Sequence, residues 1–590
     1  MAVGRAEGAG PAALVPASQW LTALAFASVI VPFAIAFGRL LSASGRHLYL
    51  PDDLALIDLH TRSALHWHQQ LGVFDHNGWN HPGPSYFYVQ SLVYRVFGSG
   101  ARSLFLGAIL LNASAAVACL GVVRRRTTPA RTLWAAFWIC ILASILAVVG
   151  PGSVTYSEGA LGGLVSPWNP LVVIFPLLLL VLLCAGALDR SVVSLVGALV
   201  VGSFIVQTNI SALVLVAALL LVTVIAWLVT SVRDQRRMTL ADGVPGVDGH
   251  QSLEPEQTPS RQTWAWGIGG SVVLVLMWLP PVIQQLTNHP GNVTLIIRFF
   301  NAAHATPSPV ASLRSVIAVY GVLISGPSEV MSAYLGHTPH HVVAAVASTG
   351  ISLVVAVAVI IVGVRQRNRF AAGLGLLGMA GFVAMLISVS RVVGVVYGYL
   401  VVWAVALPVS SFIGAGMVRV PAGALSLRGR AFTSAPAVRL LACLVAVGAS
   451  VVVCVRVVDL PALSTVSDPE VGALTALAVP ALHGRSSVFV NDGGAGRDPR
   501  SQLLGVEKFI GVVNQLDERG YRPAVNQFWR AQFGPGFEAD GTEGHSVELT
   551  TWTPASPAQP GYRGRVGDLA VTVTGTAGGR STDPADRPRS

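Results

Sequence analysis

Apolar residues run through this chain in long blocks separated by short polar breaks. About eleven blocks approach the roughly 20 residues a helix needs to cross a bilayer. They begin near residues 20, 103, 132, 169, 191, 211, 264, 342, 370, 394 and 437. A shorter, interrupted stretch around 310–324 reads as a re-entrant or interfacial piece, or as a twelfth span. Two regions depart from the pattern. Residues 231–262 ("SVRDQRRMTLADGVPGVDGHQSLEPEQTPSRQ") are rich in Gly, Pro, Glu and Gln and read as a disordered linker. Residues 458–578 alternate short β-like runs ("SSVFVND", "LAVTVTG") with a helix-like stretch ("QLLGVEKFIGVVNQLDERG") and predict a small α/β domain. The expected fold is therefore an α-helical polytopic membrane protein: a tail at 1–19, a membrane region at 20–457, an extramembrane α/β domain at 458–578 and a disordered tail at 579–590.

Composition agrees with the pattern. Hydrophobic residues make up 53% of the chain and charged residues 11%, where a soluble domain carries roughly 25%. Mean hydropathy is +0.63. The net charge of +10 comes almost wholly from Arg, since Lys508 is the one lysine. It needs no nucleic acid to explain it, because cytoplasmic loops collect basic residues beside anionic lipid. All five cysteines lie in apolar segments, which leaves the polar C-terminal region without a disulfide framework or a Cys-based zinc site. The first apolar run is too long for a cleaved signal and reads as a retained span.

Arginine orients the spans. Arg124–Arg126 and Arg131, Arg190, Arg233 with Arg236 and Arg237, Arg365 with Arg367 and Arg369, and Arg419 with Arg428 and Arg430 all fall on one side of the membrane. With a cytoplasmic N-terminus that side is the cytoplasm, and the C-terminal domain lies outside. The opposite face then receives the first loop (42–102), residues 151–169, Gln207 to Asn209, residues 284–309, residues 388–399 and everything after about 457. Polar and turn-forming residues distant in sequence converge there, as they would around a site.

The first loop, "YLPDDLALIDLHTRSALHWHQQLGVFDHNGWNHPGPSYFY", is the richest in chemistry. Asp52 and Asp53 precede a run with helical apolar spacing. One carboxylate can cap that helix while its neighbour points elsewhere, and two close carboxylates raise one another's pKa, which suits a base awaiting a hydroxyl proton. Pro82, Gly83 and Pro84 set a turn, followed by the interfacial rings Tyr86, Phe87 and Tyr88. His66 and His68 with His60, His76 and His81 invite a metal reading, but residues two apart point to different faces of a helix and no spacing completes a ligand set. His81 reads better as a hydrogen-bonder to substrate. "GLGLLG" at 373–378 matches a dinucleotide fingerprint by letters, yet follows no strand and lies in an apolar span, so its glycines read as helix-packing positions.

The acidic doublet after span one, the long loop, the "HPGPSYFY" turn, "SPWNP" (Ser166–Pro170) and "GSFIVQTN" (Gly202–Asn209) resemble the GT-C class of membrane glycosyltransferases, in particular the actinobacterial relatives of the protein O-mannosyltransferase and aminoarabinose transferase superfamily. The resemblance covers roughly residues 20–457. It implies a GT-C-like fold and a sugar donor on a polyprenyl phosphate. Asp52 or Asp53 would be the base that activates an acceptor hydroxyl on a cell-envelope glycan, lipid or protein, with inversion at the anomeric carbon. The leaving phosphate needs a cation; Arg391 is the first candidate and Arg298 the second, whereas Arg62 and Arg95 read equally as snorkelling anchors. Tyr86, Glu158, Trp168, Asn169, Gln207 and Asn209 join His81 as candidate substrate-binding residues. No metal ligand is assigned, although the class leaves room for Mg or Mn. Two rival readings remain: a transporter or flippase of lipid-linked sugars, which needs ionisable residues along a transmembrane path, and a non-catalytic glycan-binding membrane protein. The second would stack sugars on Trp529, Phe533 or Trp552, residues a small core would also use.

Overall fold

A computed structural model describes residues 17–42, 47–75, 77–149, 161–242, 261–326, 341–419, 436–482, 487–492 and 499–575. Helices run as α1 (Ala17–Ser42), α2 (Asp52–Leu65), α3 (Ser85–Phe97), α4 (Ala101–Arg124), α5 (Pro129–Val148), α6 (Asn169–Val172), α7 (Ile174–Leu188), α8 (Val192–Thr208), α9 (Leu213–Asp242) and α10 (Arg261–Thr287). They continue as α11 (Asn292–Asn301), α12 (Pro309–Tyr320), α13 (Val322–Ser325), α14 (Val342–Arg365), α15 (Arg369–Ser390), α16 (Ala406–Met417) and α17 (Pro436–Val458). Among the described residues, nine helical segments are long and apolar enough to cross a membrane.

The expected count of about eleven differs from this for a local reason. The run from 191 yields the 17-residue α8, bounded by the Ser191 cap and by Asn209. The run from 394 is not helical at its start, where Gly394 has φ +74°, and only its later part forms the short helix Val402–Met417. The stretch around 310–324 forms α12 and α13, shorter than a span. Of the expected linker, residues 231–242 continue α9, Arg261 and Gln262 begin α10, and the rest lies outside the described residues.

Helix α7 is apolar on every side and occupies the middle, with α4, α8, α15 and α16 around it; α10 leaves nearly all of its surface outside the bundle, as a lipid-facing helix would. The glycines at 373–378 pack helices. A Cβ on Gly375 would lie 2.5 Å from the Ala356 carbonyl oxygen of α14, and one on Gly378 2.3 Å from Ser411 Oγ of α16.

The two ends of the bundle differ. At one end Thr22 meets Arg124, Arg126 reaches Ser194 at 2.7 Å and Asp189 at 3.9 Å, and Asn368 and Gln366 bond the backbone of Met417 and Arg419. The arginine-bearing connections thus gather together. At the other end Arg39, near the close of α1, donates to the Val457 and Leu460 carbonyls at the end of α17. The first loop lies at this second end and carries α2, the small hairpin β1 (Phe74–Asp75) and β2 (Trp79–Asn80), and α3.

The C-terminal region forms a five-stranded mixed sheet in the order β4-β3-β5-β7-β6, with β3 (Ser487–Asn491), β4 (Arg522–Ala524), β5 (His545–Thr551), β6 (Tyr562–Val566) and β7 (Leu569–Gly575). Helix α18 (Pro469–Ala478) packs over β6 and β7, and α19 (Pro499–Glu518) over β4 and β5. The other side of α19 rests on α2, so the helix is buried between sheet and first loop from Phe509 to Leu516. Trp529 and Phe533 pack on Phe509 at 5.1 and 5.7 Å and belong to this core, not to a sugar platform. Trp552 lies under the Arg565 guanidinium at 3.9 Å.

Candidate active site at the loop-rich end

Pro51 stands at the N-cap of α2, and its carbonyl accepts the Ala55 N–H at 3.1 Å. Proline brings no side-chain acceptor, so two acids in the first turn favour the exposed N–H groups through the helix dipole. Asp52 takes φ +46°, a left-handed conformation that costs most residues about 1 kcal/mol and that Asp tolerates comparatively well. Asp53 reaches away from its own helix: Oδ2 accepts the Trp168 Nε1–H at 2.8 Å. The acidic doublet is thereby joined to the "SPWNP" segment, 115 residues away. The Trp168 ring lies 5.4 Å from that of Tyr399, which stacks on Tyr397 at 5.7 Å. The last turn of α15 and the segment after it meet at Ser211: Ser388 bonds its carbonyl, and the Trp403 Nε1–H meets its Oγ at 3.0 Å.

Beneath this layer lies a polar scaffold, and several residues expected to bind substrate belong to it. His81 is buried; Nδ1 accepts the Ile210 N–H at 3.2 Å and Nε2 lies 3.0 Å from the Asn169 amide. Burial pushes the ring pKa down to about 4, with Asp75 opposing, so His81 is a neutral strut between three segments rather than a free hydrogen-bonder. Gln207 is fully buried, accepting from Ser85 Oγ and donating to the Met277 carbonyl at 3.0 Å. A Cβ at Gly83 would lie 2.5 Å from Gln207 Cδ, so the Pro-Gly-Pro turn needs glycine to admit that side chain. Asn209 accepts from Ser211 N and Oγ. Tyr86 is buried, its hydroxyl donating to the Pro167 carbonyl and accepting from Gln90 at 2.8 Å. These side chains share one arrangement: buried polar groups bond one another and hold loops in place. Trp168 and Asn169 are largely buried as well, with Trp168 in contact with the Asp53 carboxylate.

The candidate cations separate. Arg62 is neither an anchor nor a phosphate ligand. It is locked between Asp58, Asp517 at 2.9 Å and Asn514, while Tyr94 bonds the other Asp58 oxygen. Arg298 and Arg391 are both exposed. Arg298 lies on α11, whose exposed Val293, Ile297 and Phe300 form an apolar stripe suited to the bilayer surface. Two Asn80–Asn292 hydrogen bonds of 2.8 Å pin that helix to the first loop. Arg391 closes α15, and just beyond it the Gly394 N–H bonds the Ala305 carbonyl at 2.8 Å, joining its segment to the one after α11. Arg95 lies over the Trp67 ring at 5.7 Å, as an anchor would. Glu158 and His76 lie outside the described residues. His66 and His68 are exposed, and no group of three His, Cys, Asp or Glu among the described residues could hold a metal ion.

The residue missed in sequence is Glu507. Along α19, Glu507, Gly511, Asn514, Gln515 and Glu518 recur at helical spacing and face the first loop. A Cβ at Gly511 would touch the Leu50 carbonyl, Asn514 bonds Arg62 and Asp58, and Gln515 meets His47 at 2.7 Å. One turn before Gly511, Glu507 is only 7% exposed, its Oε1 is buried without a hydrogen-bond partner among the described residues, and Asp53 lies within Coulombic reach. In sequence this stripe looks like the wet face of an amphipathic helix. Its one clue is the pair of uncharged amides beside a glycine.

Fold and site together define a polytopic membrane protein of the GT-C fold with an acidic first loop. Among solved structures, the chain is similar to ArnT from Cupriavidus metallidurans bound to undecaprenyl phosphate, with a TM-score of 0.50 and 13% identity over 96% of this chain and 100% of that one. The same protein in the apo state aligns with a TM-score of 0.48 and 14% identity over 95% and 98%. No family model matches the chain, and no curated protein matches it. At these identities the likeness concerns the fold; it does not extend to the actinobacterial O-mannosyltransferase type that the sequence motifs resemble.

Proposed function

We propose that the protein is an inverting glycosyltransferase that moves a sugar from a polyprenyl-phosphate donor to a hydroxyl of a cell-envelope acceptor, with its loop-rich end and C-terminal domain outside the plasma membrane. The observation that carries this reading is the Asp53–Trp168 contact, which unites the acidic doublet with a second loop at the polar end of the bundle. The fold it shares with an ArnT that binds undecaprenyl phosphate supports the donor class.

In this reading Asp53, or Asp52 beside it, takes the acceptor hydroxyl proton. The freed oxygen attacks the anomeric carbon, and the bond to the lipid phosphate breaks with its electron pair leaving on the phosphate. A single displacement inverts configuration and needs no covalent enzyme intermediate. Arg391 and Arg298, exposed at this end and carried on segments tied to each other, receive the growing phosphate charge. Trp168 orients the base. A transporter reading is less well supported: among the described residues the buried Asp, Glu and His side chains, Asp58, His60, His81, Glu507 and Glu543, all lie outside the nine candidate spans.

The test replaces Asp52 and Asp53 separately by Asn and measures transfer of labelled sugar from polyprenyl-phosphate donor in membranes. Loss of a general base costs about 10²- to 10⁴-fold, so one variant should fall by that much. Full activity in both removes the proposed base. Arg391→Ala and Arg298→Ala test the phosphate site, where a rise in donor KM is expected in at least one.

A further inference from the structure

We propose that Glu507, supplied by the C-terminal domain, belongs to the transfer site as a positioning residue: its buried carboxyl, whose Oε1 has no hydrogen-bond partner among the described residues, turns to donate to the Asp53 carboxylate when the sugar donor is bound and, with Trp168, holds it aligned as the base. The inference rests on the transferase reading and adds a residue from a region that composition alone marks as an accessory.

Geometry carries the argument. Tyr49 and Leu50, just before α2, are gripped by the C-terminal domain on two sides. The Tyr49 N–H bonds Ser467 Oγ and its carbonyl accepts the Asp468 N–H, at 2.9 and 2.8 Å. Gly472 of α18 abuts the Tyr49 ring and Gly511 of α19 abuts the Leu50 carbonyl, contacts any side chain at either position would spoil. The face of α19 that meets Leu50, Asp58 and Arg62 carries Glu507 one turn before Gly511, within Coulombic reach of Asp53. A buried carboxyl oxygen with no partner among the described residues is costly to keep, and such a group calls for a role.

The charges around Glu507 fit this role. Asp53 faces it from α2, Asp468 from the cap of α18, and Lys508 is its neighbour on α19. Lys508 is engaged by Glu470, which weakens its hold on Glu507. Burial first, then Asp468 and Asp53, push the Glu507 carboxyl up to about 7 against the pull of Lys508. Below that pH it carries a proton it can donate toward Asp53; above it, two carboxylates repel. In the transfer step the acceptor proton goes to Asp53 and the leaving electron pair to the lipid phosphate, so Glu507 neither gains nor loses a proton.

The experiment compares the full-length wild type with Glu507→Gln, Glu507→Ala and Asp53→Asn. Wild-type kcat for transfer from a polyprenyl-phosphate sugar should fall as pH rises through about 7. Glu507→Gln, which keeps a neutral N–H donor, should stay within about threefold of wild type at pH 6 and lose that alkaline fall. Glu507→Ala should lose roughly tenfold in kcat with little change in donor KM. A Gln variant that keeps the alkaline fall, or an Ala variant with wild-type kcat, overturns the proposal. A second arm needs no turnover: infrared titration of the protonated carboxyl, assigned by its loss in Glu507→Gln. Its midpoint should drop in Asp53→Asn, where a neighbouring negative charge is gone, and an unmoved midpoint denies the pair. Should the midpoint move while the wild type transfers no sugar, the pairing stands and the transferase reading falls.

Discussion

Of the three acids on helix α2, Asp53 and Asp58 lie about a turn and a half apart and meet opposite surroundings. Asp58 is buried against Arg62, Tyr94 and Asn514, so its charge faces a guanidinium and two further donors. Asp53 faces the Trp168 indole and the carboxyl of Glu507. Both lie where α2 meets α19, and both use the same polar stripe. A compensated charge is a fastener, while an acid that meets an indole and a second carboxyl is given a different environment by the same helix face.

The largest expected effect is on the base: Asp53→Asn should cut transfer by about 10²- to 10⁴-fold with the fold intact, while Asp58→Asn should leave the chemistry and loosen the docking. Equal effects of both on transfer would erase the contrast. Next is Arg62→Ala, which strands Asp58 and should cost about 3–5 kcal/mol, read as a fall in thermal unfolding midpoint in detergent. Wild-type stability in that variant would mean that the ion pair does not fasten the C-terminal domain. A smaller effect is expected for Trp168→Phe, which keeps the ring and removes the Nε1–H. Transfer should drop by roughly tenfold, the worth of one hydrogen bond to a charged group.

The smallest effects are pH windows of stability, and they run in opposite directions. His81 binds its proton less tightly folded, at about 4, than its ordinary 6.5, so its contribution is lost as pH falls from 6.5 towards 4. Glu507 binds its proton more tightly folded, at about 7 against 4.5, so its contribution is present at low pH and lost as pH rises from 4.5 through 7. Unfolding midpoints measured across pH should therefore lose the alkaline decline in Glu507→Gln and keep the acid one. The reverse outcome would exchange the two assignments.

Much of this was legible from sequence. The apolar blocks announced the bundle, the arginines named the end at which their loops meet, and strands and helix at 487–491, 569–575 and 499–518 lie where alternation and helical spacing placed them. The acidic doublet and the "SPWNP" segment also stood out chemically beside greasy spans, and the structure joins them through the Asp53–Trp168 contact. The scaffold role of His81, Gln207, Asn209 and Tyr86 could not, since a polar side chain looks the same in sequence whether its partner is a ligand or a loop 100 residues distant.

Hydrophobic periodicity belongs to each segment alone, so the chain by itself determined that there are membrane helices, a small sheet domain and a polar end. Partnership belongs to pairs of segments. Only the packing of α19 on α2 decided that Asp58 would be neutralised, that Asp53 would meet an acid, and that an apparently wet helix face would be buried against the first loop. The physical reason is that burial and Coulomb interactions depend on distance in space, which residue order does not encode one segment at a time.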